Sequence, residues 1–171
     1  MSAPLGTEAG TARPGCAEIL PLTAGSSQHE SMNIDGLLVV DAFLAPYTVV
    51  PRHAHENPGL GVLLDGEMEI DIVGITRSCT ASTVGTEPRW EEHVNRVGPS
   101  GARIVSIEVA ADRVGGLGPC VPLLERVHGF RDGVIAGTAR RIVRELTQPD
   151  SASRLAVLPR PRGPGQRGPG G

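Results

Sequence analysis

The chain has 171 residues, and its 16 basic against 19 acidic groups leave a formal charge of −3, which excludes a strongly basic nucleic-acid binder. That length fits one domain with tails rather than an array, and 39% apolar content is enough for a real core although the aromatics are one Trp, one Tyr and two Phe. Cys16, Cys79 and Cys120 stand far apart with no Cys-x-x-Cys, so neither a zinc knuckle nor a disulfide scaffold is indicated.

Residues 1–33 are rich in Gly, Ser, Thr and Ala without sustained periodicity, and read as a loosely attached, partly disordered arm. From Leu37 to Val109 short β-branched and aliphatic runs alternate with Gly, Pro, Asn and Asp, which predicts a compact antiparallel β domain over 34–112. The longest aliphatic stretch, Leu37 to Val40, is too short to span a bilayer, so no membrane association and a cytoplasmic location are expected. Asp65-Gly66 lies between two apolar-bearing runs and predicts a hairpin with a type I′ turn. Met68, Ile70 and Ile72 then alternate with Glu67, Glu69 and Asp71, one face for a core and one for water. Arg103, Val105, Ile107 and Val109 alternate with Ile104, Ser106 and Glu108, so both faces carry apolar groups and a second sheet or a helix is expected to cover the strand.

Beyond Pro122 the period becomes helical. Ile135, Ala139, Ile142, Val143 and Leu146 form one stripe, Asp132 is the candidate N-cap and Gln148-Pro149 the stop. A shorter helix is expected near Val121 to Val127, which makes 113–150 a helical segment. The stripe at 132–147 suits either packing on the β domain or a seam between two copies. Asp150-Ser-Ala-Ser resembles another capped start, but the Pro, Gly and Arg of 151–171 cannot bury apolar area and predict a disordered tail.

The chemistry-bearing pattern is Val50-Pro-Arg-His53-Ala-His55-Glu56. In a strand, residues two apart share a face, so His53 and His55 would point the same way about 7 Å apart at the backbone. Pro88-Arg-Trp90-Glu-Glu-His93 brings a third imidazole at the head of the next run. Three imidazoles converging inside a barrel would suit Zn, Fe, Ni or Cu, or hydrogen bonds to an organic ligand. Trp90 is a candidate ligand platform or loop packing, and Arg52, Arg89 and Arg96 flank the histidines as a candidate anion clamp or as partners of Glu91 and Glu92. No phosphate loop, dinucleotide fingerprint or Ser-His-Asp order is present.

His53-x-His55, Gly66 eleven residues later, and Pro88 five residues before His93 resemble the two motifs of the cupin superfamily across residues 37–111. The stretches PRHAHENPGLGVLLDGEMEI and HVNRVGPSGARIVSIEV, with the helix ARRIVRELTQPD, are similar to the N-terminal effector-binding and dimerisation domain of AraC-type transcription regulators. The resemblance implies a mainly β, cupin-like double-stranded β-helix, a jelly-roll barrel with one or two C-terminal α-helices. Two positions depart from the pattern: the first motif's usual Glu falls on Gly59 or Leu60, and the second motif's usual Gly is Trp90.

The reading that follows is a sensor domain, likened to a truncated AraC-type regulator without its helix-turn-helix half. It would bind a small-molecule effector near His53, His55, Trp90 and His93, associate as a homodimer, require no cofactor and recognise no specific nucleic acid by itself. The alternative is a small metal-dependent cupin enzyme, an oxygenase or isomerase, with a divalent transition metal on His53, His55 and His93.

Overall fold

The computed structural model describes residues 18–19 and 25–148 of the chain. The tail at 151–171 and the capped start at Asp150 lie outside them, as does most of the expected arm. The described residues hold strands β1 (Glu18–Ile19), β2 (Ser26–Ile34), β3 (Leu37–Leu44), β4 (Val49–Ala54), β5 (Gly59–Ile72), β6 (Ile75–Thr80), β7 (Thr83–Glu87) and β8 (His93–Val109). A 3₁₀ segment, Val114–Cys120, then leads into helix α1 (Val121–Leu124), strand β9 (Gly129–Arg131) and helix α2 (Gly133–Thr147). The described residues are therefore mainly β with two α-helices towards their C-terminal end, as expected. The arm boundary moves, because Ser26–Ile34 pairs with β3 along its whole length.

Two long strands build the roll. The first part of β5 lies between β7 and the last part of β8, and its second part lies between β6 and the first part of β8. In the same way β8 pairs with β4 through its first residues and with β3 through its last. Both strands thus pass from one face of the roll to the other. The crossing is made at Gly66 and Gly101, with φ of 84° and 73°. A Cβ on Gly66 would stand 2.0 Å from the Gly101 carbonyl oxygen, so glycine is required there.

The hairpin expected at Asp65-Gly66 is therefore corrected. The register shifts on either side of these residues while β5 continues, so the pair forms a bulge that bends the strand. The hairpin comes at Val73-Gly74, where φ of 53° and 69° closes a tight turn between Ile72 and Ile75. Asp35-Gly36, with φ of 49° and 83°, makes the equivalent turn between β2 and β3.

Two apolar layers result. Leu44, Leu63, Met68, Cys79, Val97 and Ala102 fill one side of the wall, while Val39, Val62, Leu64, Val84 and Val105 meet Ala136, Ala139, Val143 and Leu146 of α2 on the other. This explains why both faces of β8 are apolar: Ile104 belongs to the inner layer and Val105 to the layer under the helix. The stripe of α2 is thus packed on the barrel. Asp132 caps the helix as the sequence indicates, its carboxylate accepting from the Val134 and Ile135 amides at 2.8 and 2.9 Å. Among the described residues no helix is long and apolar enough to cross a membrane.

Candidate metal and ligand site

Strand pairing assembles the histidines. His53 near the end of β4 lies directly across from His93 at the start of β8, and His55 follows two residues later. The ring centroids of His53 and His93 are 4.1 Å apart, and that of His55 is 5.0 and 5.2 Å from theirs. All three are buried, and one ring nitrogen from each lies within 4.8 Å of the others. At metal–nitrogen bonds of about 2.1 Å, tetrahedral ligands stand roughly 3.4 Å apart, so the rings need close by only about an ångström to share an ion.

Backbone carbonyls set two of the tautomers. His53 Nδ1 lies 2.7 Å from the Pro51 oxygen and His93 Nδ1 lies 3.1 Å from the Glu91 oxygen. A carbonyl only accepts, so each Nδ1 carries the proton and each Nε2 keeps its lone pair. His93 Nε2 is buried with no hydrogen-bond partner. Burial, reinforced by the neighbouring His93, lowers the His53 pKa to about 4, which leaves this imidazole neutral at neutral pH, the form a metal requires.

His55 has a different environment. Its Nε2 faces Glu87 at 3.6 Å and its Nδ1 faces Glu108 at 3.5 Å, beyond good hydrogen-bond distance. Burial pushes the Glu108 carboxyl up, and the His55 ring opposes the shift. Sequence reasoning missed both acids. Their place is informative: Gly59, where the first motif's carboxylate is missing, pairs with Glu87 on one side and with Glu108 on the other. The carboxylates are supplied from the adjacent strands. The alternation of Ile104, Ser106 and Glu108 carried this signal for β8, since Ile104 and Ser106 line the cavity.

Trp90 stands apart from the three imidazoles. It is 49% exposed, lies outside the cavity wall, and carries the Arg89 guanidinium 5.7 Å from its ring centre. Its φ of 62° is the conformation for which the motif's usual glycine is suited. The turn points the ring outward while the Trp90 amide donates to the His55 carbonyl at 2.9 Å, so its backbone steadies the histidine segment. The flanking arginines are engaged elsewhere: Arg52 with Glu92 at 3.5 Å, Arg89 with the Glu56 carbonyl at 2.8 Å, and Arg96 with Asp71 at 4.0 Å.

The histidines open on a cavity of about 100 Å³ between the two faces of the roll. Leu63, Met68, Ile70 and Ile104 form its apolar wall. The segment before β9 closes one edge: the Thr86 hydroxyl donates to the Arg126 carbonyl at 2.7 Å and accepts from the His128 amide at 2.8 Å. His128, to which the sequence assigned no role, thereby lines the cavity.

Neither a protein-family model nor a curated protein matches the sequence. Solved structures similar to it include oxalate decarboxylase from Bacillus subtilis, 16% identical with a TM-score of 0.47, the match covering 53% of this chain and 26% of that one. KdgF from Halomonas sp. is 19% identical with a TM-score of 0.45, over 54% of this chain and 88% of that one. The Cnp3 cupin domain of Schizosaccharomyces pombe is 13% identical with a TM-score of 0.46, over 52% and 68%. The chain thus spans about a quarter of the oxalate decarboxylase chain.

Proposed function

We propose that the chain holds a divalent transition metal on His53, His55 and His93 and binds a small organic molecule beside it, as a small metal-dependent cupin enzyme of the oxygenase or isomerase kind. The observation that carries this reading is the buried, unpartnered His93 Nε2 within a set of three converging imidazole nitrogens. Leaving such an atom unsatisfied costs about 1–3 kcal/mol, which a bound ion would recover. Glu87, the acid in the cavity lining, is the candidate fourth ligand. When bound, an ion in such a set supplies Lewis acidity towards a substrate oxygen. The chain's own groups do the rest: the Pro51 and Glu91 carbonyls orient two rings, Glu87 and Glu108 bracket the third, and the apolar wall limits water.

Cobalt spectroscopy tests this. Metal-stripped protein titrated with Co²⁺ should develop a visible ligand-field spectrum saturating at one ion per chain, absent in His55→Ala and altered in Glu87→Gln. A spectrum that never departs from that of aqueous Co²⁺ would exclude the reading.

A second reading, a cytoplasmic effector sensor of the AraC type acting as a homodimer, is supported by the apolar cavity wall and by the exposed Arg141 and Arg144 of α2. It requires a ligand-dependent melting shift in metal-free protein that survives His55→Ala. The metal reading requires instead an ion bound stoichiometrically by the wild type and lost in His55→Ala.

A further inference from the structure

The register that pairs His53 with His93 also places the next inward row of side chains. Two residues along β8 and β5, about 7 Å away, and three along β4 across a register shift, Val50 on β4 lies opposite Asn95 on β8, Asn95 opposite Ile70 on β5, and Ile70 opposite Arg77 on β6. All four line the cavity. Two of them bring polar atoms with nothing to bind: Arg77 Nε and Asn95 Oδ1 are both buried without a hydrogen-bond partner.

A guanidinium nitrogen and an amide oxygen left unmatched inside an apolar wall are costly unless something enters to meet them. Among the described residues lining the cavity, Arg77 is the sole permanent cation and Glu87 the sole acid. The acid sits beside His55, and the cation sits one row further in. An anionic group is therefore repelled from the Glu87 side and attracted to the Arg77 side. The planar guanidinium suits a carboxylate, and the Asn95 oxygen needs a donor such as a hydroxyl.

We propose that the cavity's ligand is a small hydroxylated carboxylic acid, its carboxylate on Arg77 and a hydroxyl on Asn95, with its carbon frame against Ile70 and Met68. This deepens the reading of the cavity as a small-molecule site and names the ligand class. It assigns anion recognition to Arg77, since Arg52, Arg89 and Arg96 are bound to other partners.

The test uses the full chain, metal-free and zinc-loaded, titrated calorimetrically with 2-hydroxy acids from glycolate to 2-hydroxyhexanoate. The matching neutral diols, the unsubstituted acids and inorganic phosphate serve as comparisons. The expected result is binding of at least one hydroxy acid in preference to its diol and to phosphate. Arg77→Gln should weaken that binding about tenfold or more, the loss of one charge-assisted hydrogen bond, while zinc affinity stays as in the wild type. Asn95→Ala should erase the preference for hydroxy over unsubstituted acids, which keeps the proposal testable if Arg77→Gln does not fold. A wild type that takes up zinc but binds hydroxy acids no better than diols or phosphate overturns the carboxylate assignment and leaves the metal reading standing. Selective hydroxy-acid binding without zinc uptake supports the assignment and removes the metal reading.

Discussion

His55 faces the Glu87 and Glu108 carboxylates at 3.6 and 3.5 Å, whereas His53 and His93 are oriented by backbone carbonyls. Its metal affinity should therefore be sensitive to Glu108, the carboxylate facing its Nδ1. Glu108→Gln removes the charge while keeping the shape, and is expected to weaken metal binding about tenfold to a hundredfold, as changes to groups supporting a ligand do. Competition against a chromogenic chelator checks this. Trp90 is expected to behave in the opposite way. A bulky residue at positive φ costs about 1–2 kcal/mol, which Trp90→Gly relieves while losing some packing and restricting the unfolded chain less. Metal affinity should be unchanged and the melting temperature little altered; a loss of metal binding would show that the ring has a role the structure does not assign to it. The three histidines were legible because their spacing in strands is itself a statement about faces. Glu87, Glu108 and Arg77 were not, because each enters from a strand whose register had to be known. For Arg77 a signal existed: Ile75, Arg77 and Cys79 alternate with Thr76, Ser78 and Thr80, which puts the arginine on the side of the buried cysteine.

At the scale of elements, α2 and the β5 bulge are tied together. Arg140 donates to both Asp65 carboxylate oxygens, at 3.0 and 3.1 Å, and to the Leu64 carbonyl at 2.6 Å. The Arg140 guanidinium holds the Asp65 carboxyl below its ordinary value. With the folded value depressed, the stabilisation is present above the unfolded carboxylate value near 3.8 and is lost as pH falls through the folded one. Asp65→Asn should thus lower the melting temperature slightly at pH 7 and make no difference at strongly acidic pH; the pair is exposed, so the effect is small. Gly66→Ala tests the bend itself. With the Gly101 carbonyl oxygen 2.0 Å from the added Cβ, backbone must move, and a loss of about 3 kcal/mol or more is expected in chemical denaturation. The Asp-Gly pair illustrates what local sequence conveys. Positive φ is found at both residues of Asp35-Gly36 but only at the glycine of Asp65-Gly66, and whether the chain reverses or only bends at the second pair depends on the pairing of β5 with β8 beyond it. The amphipathic α2, with its cap and its stop, needed no such partner and was readable throughout.

The whole molecule places two inward rows of side chains one above the other, histidines in the first and an arginine and an asparagine in the second, inside a roll whose outer wall is sealed by α2. The apolar content and alternation of residues 37–109 made this β architecture readable. The closure by β9 was not, because three exposed residues, Gly129–Arg131, join the sheet only through their pairing with β7. Burying unpaired polar atoms in such a wall makes sense for a molecule completed by what it binds. The most direct measurement is calorimetric titration of the metal-stripped full chain with Zn²⁺, beside His93→Ala. One ion per chain, a melting temperature that rises with occupancy, and loss of both in the variant are expected. A wild type that binds no zinc, or a His93→Ala chain that binds it equally well, would contradict the metal reading.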